Sequence, residues 1–107
     1  MKVSVILPVY NVELYLNEAL TSLTSQTLDD IEIIAVNDGS TDDSEHILQR
    51  FQEQYPFVSY YNQTNQGQSA ARNQALKYAK GEYIYFMDSL FVYRLNLKYF
   101  TILLLWI

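Results

Sequence analysis

An α/β fold with a mostly parallel sheet flanked by helices is what this 107-residue chain predicts, and three observations carry that expectation. Four short apolar runs rich in β-branched and aromatic residues alternate with three segments of helical period. The connections between them are short, which favours parallel strands joined through helical crossovers. Half of the residues are apolar, and only three Gly and two Pro leave little room for linkers, so a compact unit with a real core is expected.

Residues 2–9 form the first run, with Val3, Val5, Ile6 and Leu7 closed by Pro8, as suits a buried parallel strand that ends where ladder bonds are no longer needed. Asn11 reads as a helix cap. Over 12–25, Leu16, Ala19, Leu20 and Leu23 fall at i, i+3, i+4 and i+7, one face of a helix. Residues 31–36 are the second strand. The turn Asn37-Asp38-Gly39-Ser40 follows, in which Ser40 is expected to cap the next helix with Asp43 three residues on. Ile47, Leu48 and Phe51 line that helix and Pro56 ends it. A third strand is expected over 57–61 and a polar loop over 62–67. The third helix is expected over 69–79, with Lys77 and Lys80 in its last turn and Gly81 as its C-cap. Residues 82–87 are the fourth strand.

Sheets of this kind bind ligands outside the carboxyl ends of their strands, and that is where the polar residues gather. Tyr10 and Asn11 follow the first strand, Asn37 and Asp38 the second, Asn65 the third and Asp88 the fourth. Turn chemistry alone also places Asn, Asp and Gly after strands, so Asp38 reads equally as a turn former. Taken together, the set suits a nucleotide. Tyr10 offers a ring to stack a base, Asp38 an acceptor for a base or ribose donor, Asn65 an amide and Arg72 a fork for phosphate. Asp88 would hold a hard divalent cation, Mg²⁺ or Mn²⁺, bridging two phosphates. Other chemistries are poorly served. The first strand runs into Pro-Val-Tyr-Asn instead of a glycine-rich phosphate loop, the single histidine, His46, falls on a polar helix phase, and no zinc spacing or Ser/His/Asp order is present.

Charge narrows the class further. Met1 to Ser89 holds all 12 acids against five bases, a balance of −7, so binding to a nucleic-acid backbone is not expected. The absence of cysteine fits a reducing cytoplasm. From Leu90 to Ile107 the character changes: 14 of the 18 residues are apolar, Arg94 and Lys98 are the only charges, and no acid remains. The run from Tyr99 to Ile107 is nine residues, short of the roughly 20 that span a bilayer, so a buried or surface-docked segment is expected ahead of a membrane anchor.

Four motifs, in order and spacing, resemble the amino-terminal half of family 2 glycosyltransferases of the GT-A type. They are Val3-Ser4-Val5-Ile6-Leu7-Pro8-Val9-Tyr10-Asn11, Val36-Asn37-Asp38-Gly39-Ser40-Thr41-Asp42, Asn65-Gln66-Gly67-Gln68-Ser69-Ala70-Ala71-Arg72-Asn73, and Gly81-Glu82-Tyr83-Ile84-Tyr85-Phe86-Met87-Asp88-Ser89. The resemblance covers residues 2–89. It implies a truncated Rossmann-like GT-A fold and inverting transfer of a hexose from a nucleotide-diphospho-sugar, commonly UDP-linked. The acceptor it implies is a saccharide, lipid or wall polymer, and the cation on the diphosphate Mg²⁺ or Mn²⁺. It further implies that Pro8, Val9 and Tyr10 line the base pocket, that Asp38 contacts the uracil or ribose, that Asn65 and Arg72 lie near the nucleotide, and that Asp88 opens an Asp-x-Asp metal motif. A cytoplasmic location, free or at the inner face of the membrane, is expected.

The pattern is departed from at Leu90, where the family places the second Asp. The general base and the acceptor-binding half that such enzymes use are not found either. Residues 1–89 thus read as the nucleotide-sugar-binding half and 90–107 as an apolar tail, from a truncated or frameshifted gene product or from a natural divergence in which the tail covers the sheet. Sugar transfer by this polypeptide alone is not expected. The alternative function is a non-catalytic nucleotide-binding or partner-interaction module. A receiver-like or flavodoxin-like domain leaves Pro-Val-Tyr-Asn and the Arg72 motif unexplained.

Overall fold

The computed structural model describes residues 3–25 and 30–87. Along the chain run β1 (Val3–Val9), α1 (Glu13–Thr24), β2 (Ile31–Asp38), α2 (Ser44–Gln54), β3 (Val58–Gln63), α3 (Gln68–Leu76) and β4 (Tyr83–Phe86). The strands form one four-stranded sheet in the order β3-β2-β1-β4, and every pair is parallel. The α/β expectation and the helix-flanked parallel sheet hold. The readings placed on Asp88 and on residues 90–107 lie outside the described residues.

β1 and β2 are central, covered on both faces, which is why they read as nearly unbroken apolar runs. Val3, Val5, Leu7 and Val9 of β1 pack with Ile31, Ile33 and Ala35 of β2 beneath α1 and α2. Leu16, Ala19, Leu20 and Leu23 of α1 and Ile47, Leu48 and Phe51 of α2 fill that layer, so the helical faces expected from the spacing are the faces buried. The alternate residues Ile6, Ile34 and Val36 meet Ala71 and Ala75 of α3 on the opposite side. The small alanines let this single helix lie close to the sheet.

The helix termini differ from expectation. Asn11 adopts a left-handed conformation, φ 49°, which asparagine tolerates. Its Oδ1 accepts from the Thr41 N–H at 2.8 Å, so it braces the β2–α2 loop and does not cap its own helix. The first N–H groups of α1 are satisfied from that loop: Val12 N–H donates to Ser44 Oγ at 3.1 Å and Glu13 N–H to Asp42 Oδ2 at 3.1 Å. In return Asp43 N–H donates to Glu13 Oε2 at 3.3 Å. Ser40 does not cap α2 either; its Oγ accepts from the Asn11 N–H at 3.0 Å. The two helix N-termini lie side by side, so each draws its partners from the other's segment. Burial would raise the Asp42 pKa, but hydrogen bonds from Ser44 and Glu13 outweigh it and hold it below the ordinary carboxylate value.

The third helix stops at Leu76, ahead of Lys77 and Lys80, and Gly81 is not its cap. A Cβ at Gly81 would lie 2.6 Å from the Ser4 N and 2.7 Å from Ser4 Oγ, so glycine is required where the chain entering β4 crosses the start of β1. Gly81 N–H donates to Ser4 Oγ at 2.8 Å, Ser4 Oγ–H donates to Glu32 Oε2, and Lys80 N–H donates to the same oxygen at 2.7 Å. Glu32 is thereby a buried carboxylate inside β2, holding the α3–β4 turn against the sheet. The second and third strands also run longer than expected, to Asp38 and Gln63, because β2–β3 pairing continues through Asn37–Asn62 and Asp38–Gln63.

Candidate nucleotide site at the carboxyl edge of the sheet

The carboxyl ends of β1 and β2 leave the sheet together, since the register pairs Pro8 with Val36 and Val9 with Asn37. Val9 is fully buried and Pro8 half-buried, whereas Tyr10, the next residue, is 49% exposed. A half-exposed ring at the end of a central strand is placed to stack against a planar ligand.

Asp38 is only 4% exposed, and its carboxylate organises the neighbouring loop. Oδ1 accepts from Gln63 Nε2 and from the Gln66 N–H, both at 2.8 Å, and Oδ2 from the Gly67 N–H at 3.0 Å. Burial alone would raise its pKa; these three donors outweigh burial and leave it below the ordinary value. A carboxylate offers about four lone-pair positions, so Asp38 retains acceptor capacity for one further N–H or O–H. Beside it Asn37 is locked in a chain of amides, its Nδ2 donating to Asn62 Oδ1 at 2.9 Å and Asn62 Nδ2 to Glu45 Oε2 at 2.8 Å. Gly39, at φ 73°, lets the β2–α2 turn press on the β3–α3 loop: a Cβ there would sit 2.9 Å from the Asn65 N. Asn65 is thus pinned through its backbone while its side chain remains exposed.

Arg72 projects from α3 with its guanidinium carbon 5.8 Å from the centroid of the Phe86 ring on β4, a cation–π distance. Its Nε is buried without a hydrogen-bond partner. A buried donor left unpaired is costly, and an incoming anionic oxygen would relieve it. The structure therefore joins Asp38 with the Asn65 loop, places Tyr10 on the adjacent strand end, and sets Arg72 against β4, the strand that leads to Asp88. Asp88 itself lies outside the described residues.

The spacing did not single out Gln63, Gln66, Gly67 or Phe86. The available signal was the amide-rich tract Asn62-Gln63-Thr64-Asn65-Gln66-Gly67-Gln68, more donors than a turn needs. Among the described residues no group of three His, Cys, Asp or Glu side chains is arranged to hold a metal ion. With Asp38 committed to three protein donors and Leu90 following Asp88 and Ser89, the residues present do not by themselves fit a divalent-cation site.

The glycosyl transferase family 2 model matches residues 4–92. The chain belongs to that family. Over 88 residues this family 2 chain is 50% identical to the glycosyltransferase GlyA of Streptococcus pneumoniae, an alignment covering 82% of the chain and 13% of GlyA. The solved structure of residues 1–349 of S. aureus TarS in complex with UDP-GlcNAc superposes with a TM-score of 0.78 at 39% identity, covering 83% of this chain and 26% of that one. The mannosyltransferase PcManGT of Pyrobaculum calidifontis, solved with GDP-Man and Mn²⁺, gives 0.76 at 28% identity over 82% of this chain and 27% of that one. The GT-A, Rossmann-like expectation holds, and a divalent metal accompanies the nucleotide in a solved family neighbour. The chain spans about an eighth of GlyA and about a quarter of each matched structure.

Proposed function

We propose that residues 1–89 are the nucleotide-sugar-binding half of an inverting family 2 glycosyltransferase whose donor is a UDP-sugar and whose acceptor is a saccharide, a lipid-linked sugar or a wall polymer. The observation that carries this reading is the pairing, on adjacent strand ends, of an exposed Tyr10 ring with a buried Asp38 carboxylate that retains one acceptor position. The likeness to a UDP-GlcNAc-bound neighbour over the same segment supports the donor class. In this reading Tyr10 and the half-buried Pro8 hold the base, Val9 supports them from the core and does not reach the ligand, and Asp38 accepts from uracil or ribose. Asn65 adds an amide hydrogen bond, and the unpaired Arg72 Nε turns to the diphosphate. A cytoplasmic location belongs to the same proposal, supported by the cysteine-free sequence. Among the described residues no helix is long and apolar enough to cross a membrane.

A divalent cation supplies charge stabilisation to a leaving diphosphate, and Asp88 is the residue on which it would rest. With Leu90 in place of a second carboxylate, the chain alone is expected to bind nucleotide and transfer no sugar. Incubation with UDP-GlcNAc or UDP-glucose should release no UDP above the protein-free rate, and turnover by the 107-residue chain would refute this. Leu90→Asp should make UDP affinity respond to Mn²⁺ by roughly tenfold or more, a gain of about 1.4 kcal/mol, measured by calorimetry with and without the metal.

A further inference from the structure

The family resemblance leaves unexplained a cavity of about 390 Å³ on the α3 face of the sheet, lined by Glu32, Ser59, Tyr61, Lys77, Tyr78 and Lys80. It starts at Glu32, six residues before Asp38 on β2, about 20 Å back along the strand, and reaches Tyr61 of β3, which pairs with Val36; none of its lining residues is one that the nucleotide reading uses. Its volume is in the range that holds a small ligand.

The lining is unusual for this chain. Residues 1–89 contain five basic side chains against 12 acids, yet Lys77 and Lys80 both face this one cavity. Lys77 Nζ donates to the Gln74 amide at 3.3 Å, and neither lysine forms an ion pair with a carboxylate among the described residues. Both are exposed, so the pair offers hydrated, unneutralised ammonium groups, suited to phosphate as point charges. The Tyr61 and Tyr78 rings stack at 3.9 Å and 8°. That stack fixes Tyr78 while leaving it 39% exposed, giving a rigid aromatic wall against which the C–H face of a sugar or polyol can lie. Glu32 adds an acceptor. Its Oε2 is held by Ser4 Oγ–H and Lys80 N–H, which leaves Oε1 for a ligand hydroxyl.

Cations for phosphate, a fixed ring for C–H groups and a carboxylate for hydroxyls occupy three walls of one cavity. The geometry points to a second binding site, separate from the nucleotide site, that takes a polyol phosphate or sugar phosphate, either as a free small molecule or as one unit of a phosphate-bearing polymer.

The test is a titration of the ¹⁵N-labelled 107-residue chain with glycerol 3-phosphate, glycerol and inorganic phosphate. Saturable amide shifts at Ser59, Tyr61 and Lys77 to Lys80 are expected with glycerol 3-phosphate, weaker ones with either half-ligand, and none at Asp38, Gln66 or Gly67. The double variant Lys77→Gln/Lys80→Gln, both positions being exposed, should keep its fold and its UDP response. Its affinity for glycerol 3-phosphate should fall roughly fivefold to tenfold. A glycerol phosphate oligomer binding more tightly than the monomer would assign the site to a polymer, and equal affinity per unit to the free metabolite. Shifts confined to the carboxyl edge, an unchanged affinity in the double variant, or inorganic phosphate binding as well as glycerol 3-phosphate would each overturn the assignment.

Discussion

Asp38→Asn is expected to lower stability by about 2–3 kcal/mol and to weaken UDP binding tenfold or more. The carboxylate accepts three hydrogen bonds, two at Oδ1 and one at Oδ2. An amide presents one acceptor and one donor, so whichever way it turns an N–H of the loop faces an NH₂ group. Asp38 is almost wholly buried, and water cannot repair the mismatch. Freed from Asp38, Gln66 and Gly67 no longer fix the loop beside Asn65, and a ligand must order it on binding. Urea unfolding and UDP calorimetry on the same samples measure both effects.

The pH dependence has a defined sign. The folded pKa of Asp38 is below its ordinary value of 3.8, so its contribution is fully present above that value and is lost as pH falls through the lower folded pKa. Asp42 is shifted in the same direction. Wild-type stability should therefore drop as pH is lowered below about 4, and Asp38→Asn should flatten that drop in part, leaving the Asp42 share. A variant as steep as wild type would remove Asp38 from the explanation.

Gly81→Ala is expected to cost about 2–3 kcal/mol, a large fraction of the stability of a domain this small. The added Cβ would lie 2.6 Å from the Ser4 N and 2.9 Å from the Val3 C, and these are backbone atoms that cannot swing aside. Relief requires β4 to move from β1, which breaks the bonds from Gly81 to Ser4 and from Lys80 to Glu32. The loss should appear as a lower urea midpoint. A cost under about 0.5 kcal/mol, as at an ordinary surface position, would show that the crossing is slack.

The contrast between Gly81 and the helix faces marks what was legible in the sequence. Leu16, Ala19, Leu20 and Leu23 announce their buried side because helical period is a local property, and the strands announce themselves because both faces of β1 and β2 are covered. Caps were not legible. Val12 and Glu13 donate to Ser44 and Asp42, 32 and 29 positions away, so local reading assigned their roles to Asn11 and Ser40. Glu32 was passed over in an apolar run because the groups that satisfy it, Ser4 and the Lys80 N–H, are 28 and 48 positions distant. Asp38 stood between turn former and ligand contact. The structure adds a role no spacing implies, that of organiser of the following loop, and the ligand contact remains open to its one spare acceptor position.

Titration of the ¹⁵N-labelled chain with UDP tests the nucleotide-site assignment most directly. Saturable binding is expected by about millimolar UDP, with amide shifts gathered at Tyr10, Asp38, Gln66, Gly67 and Arg72, and with most of the affinity lost in Asp38→Asn. No response at several times that concentration, or shifts centred on α2 or on the Lys77–Lys80 cavity, would contradict it.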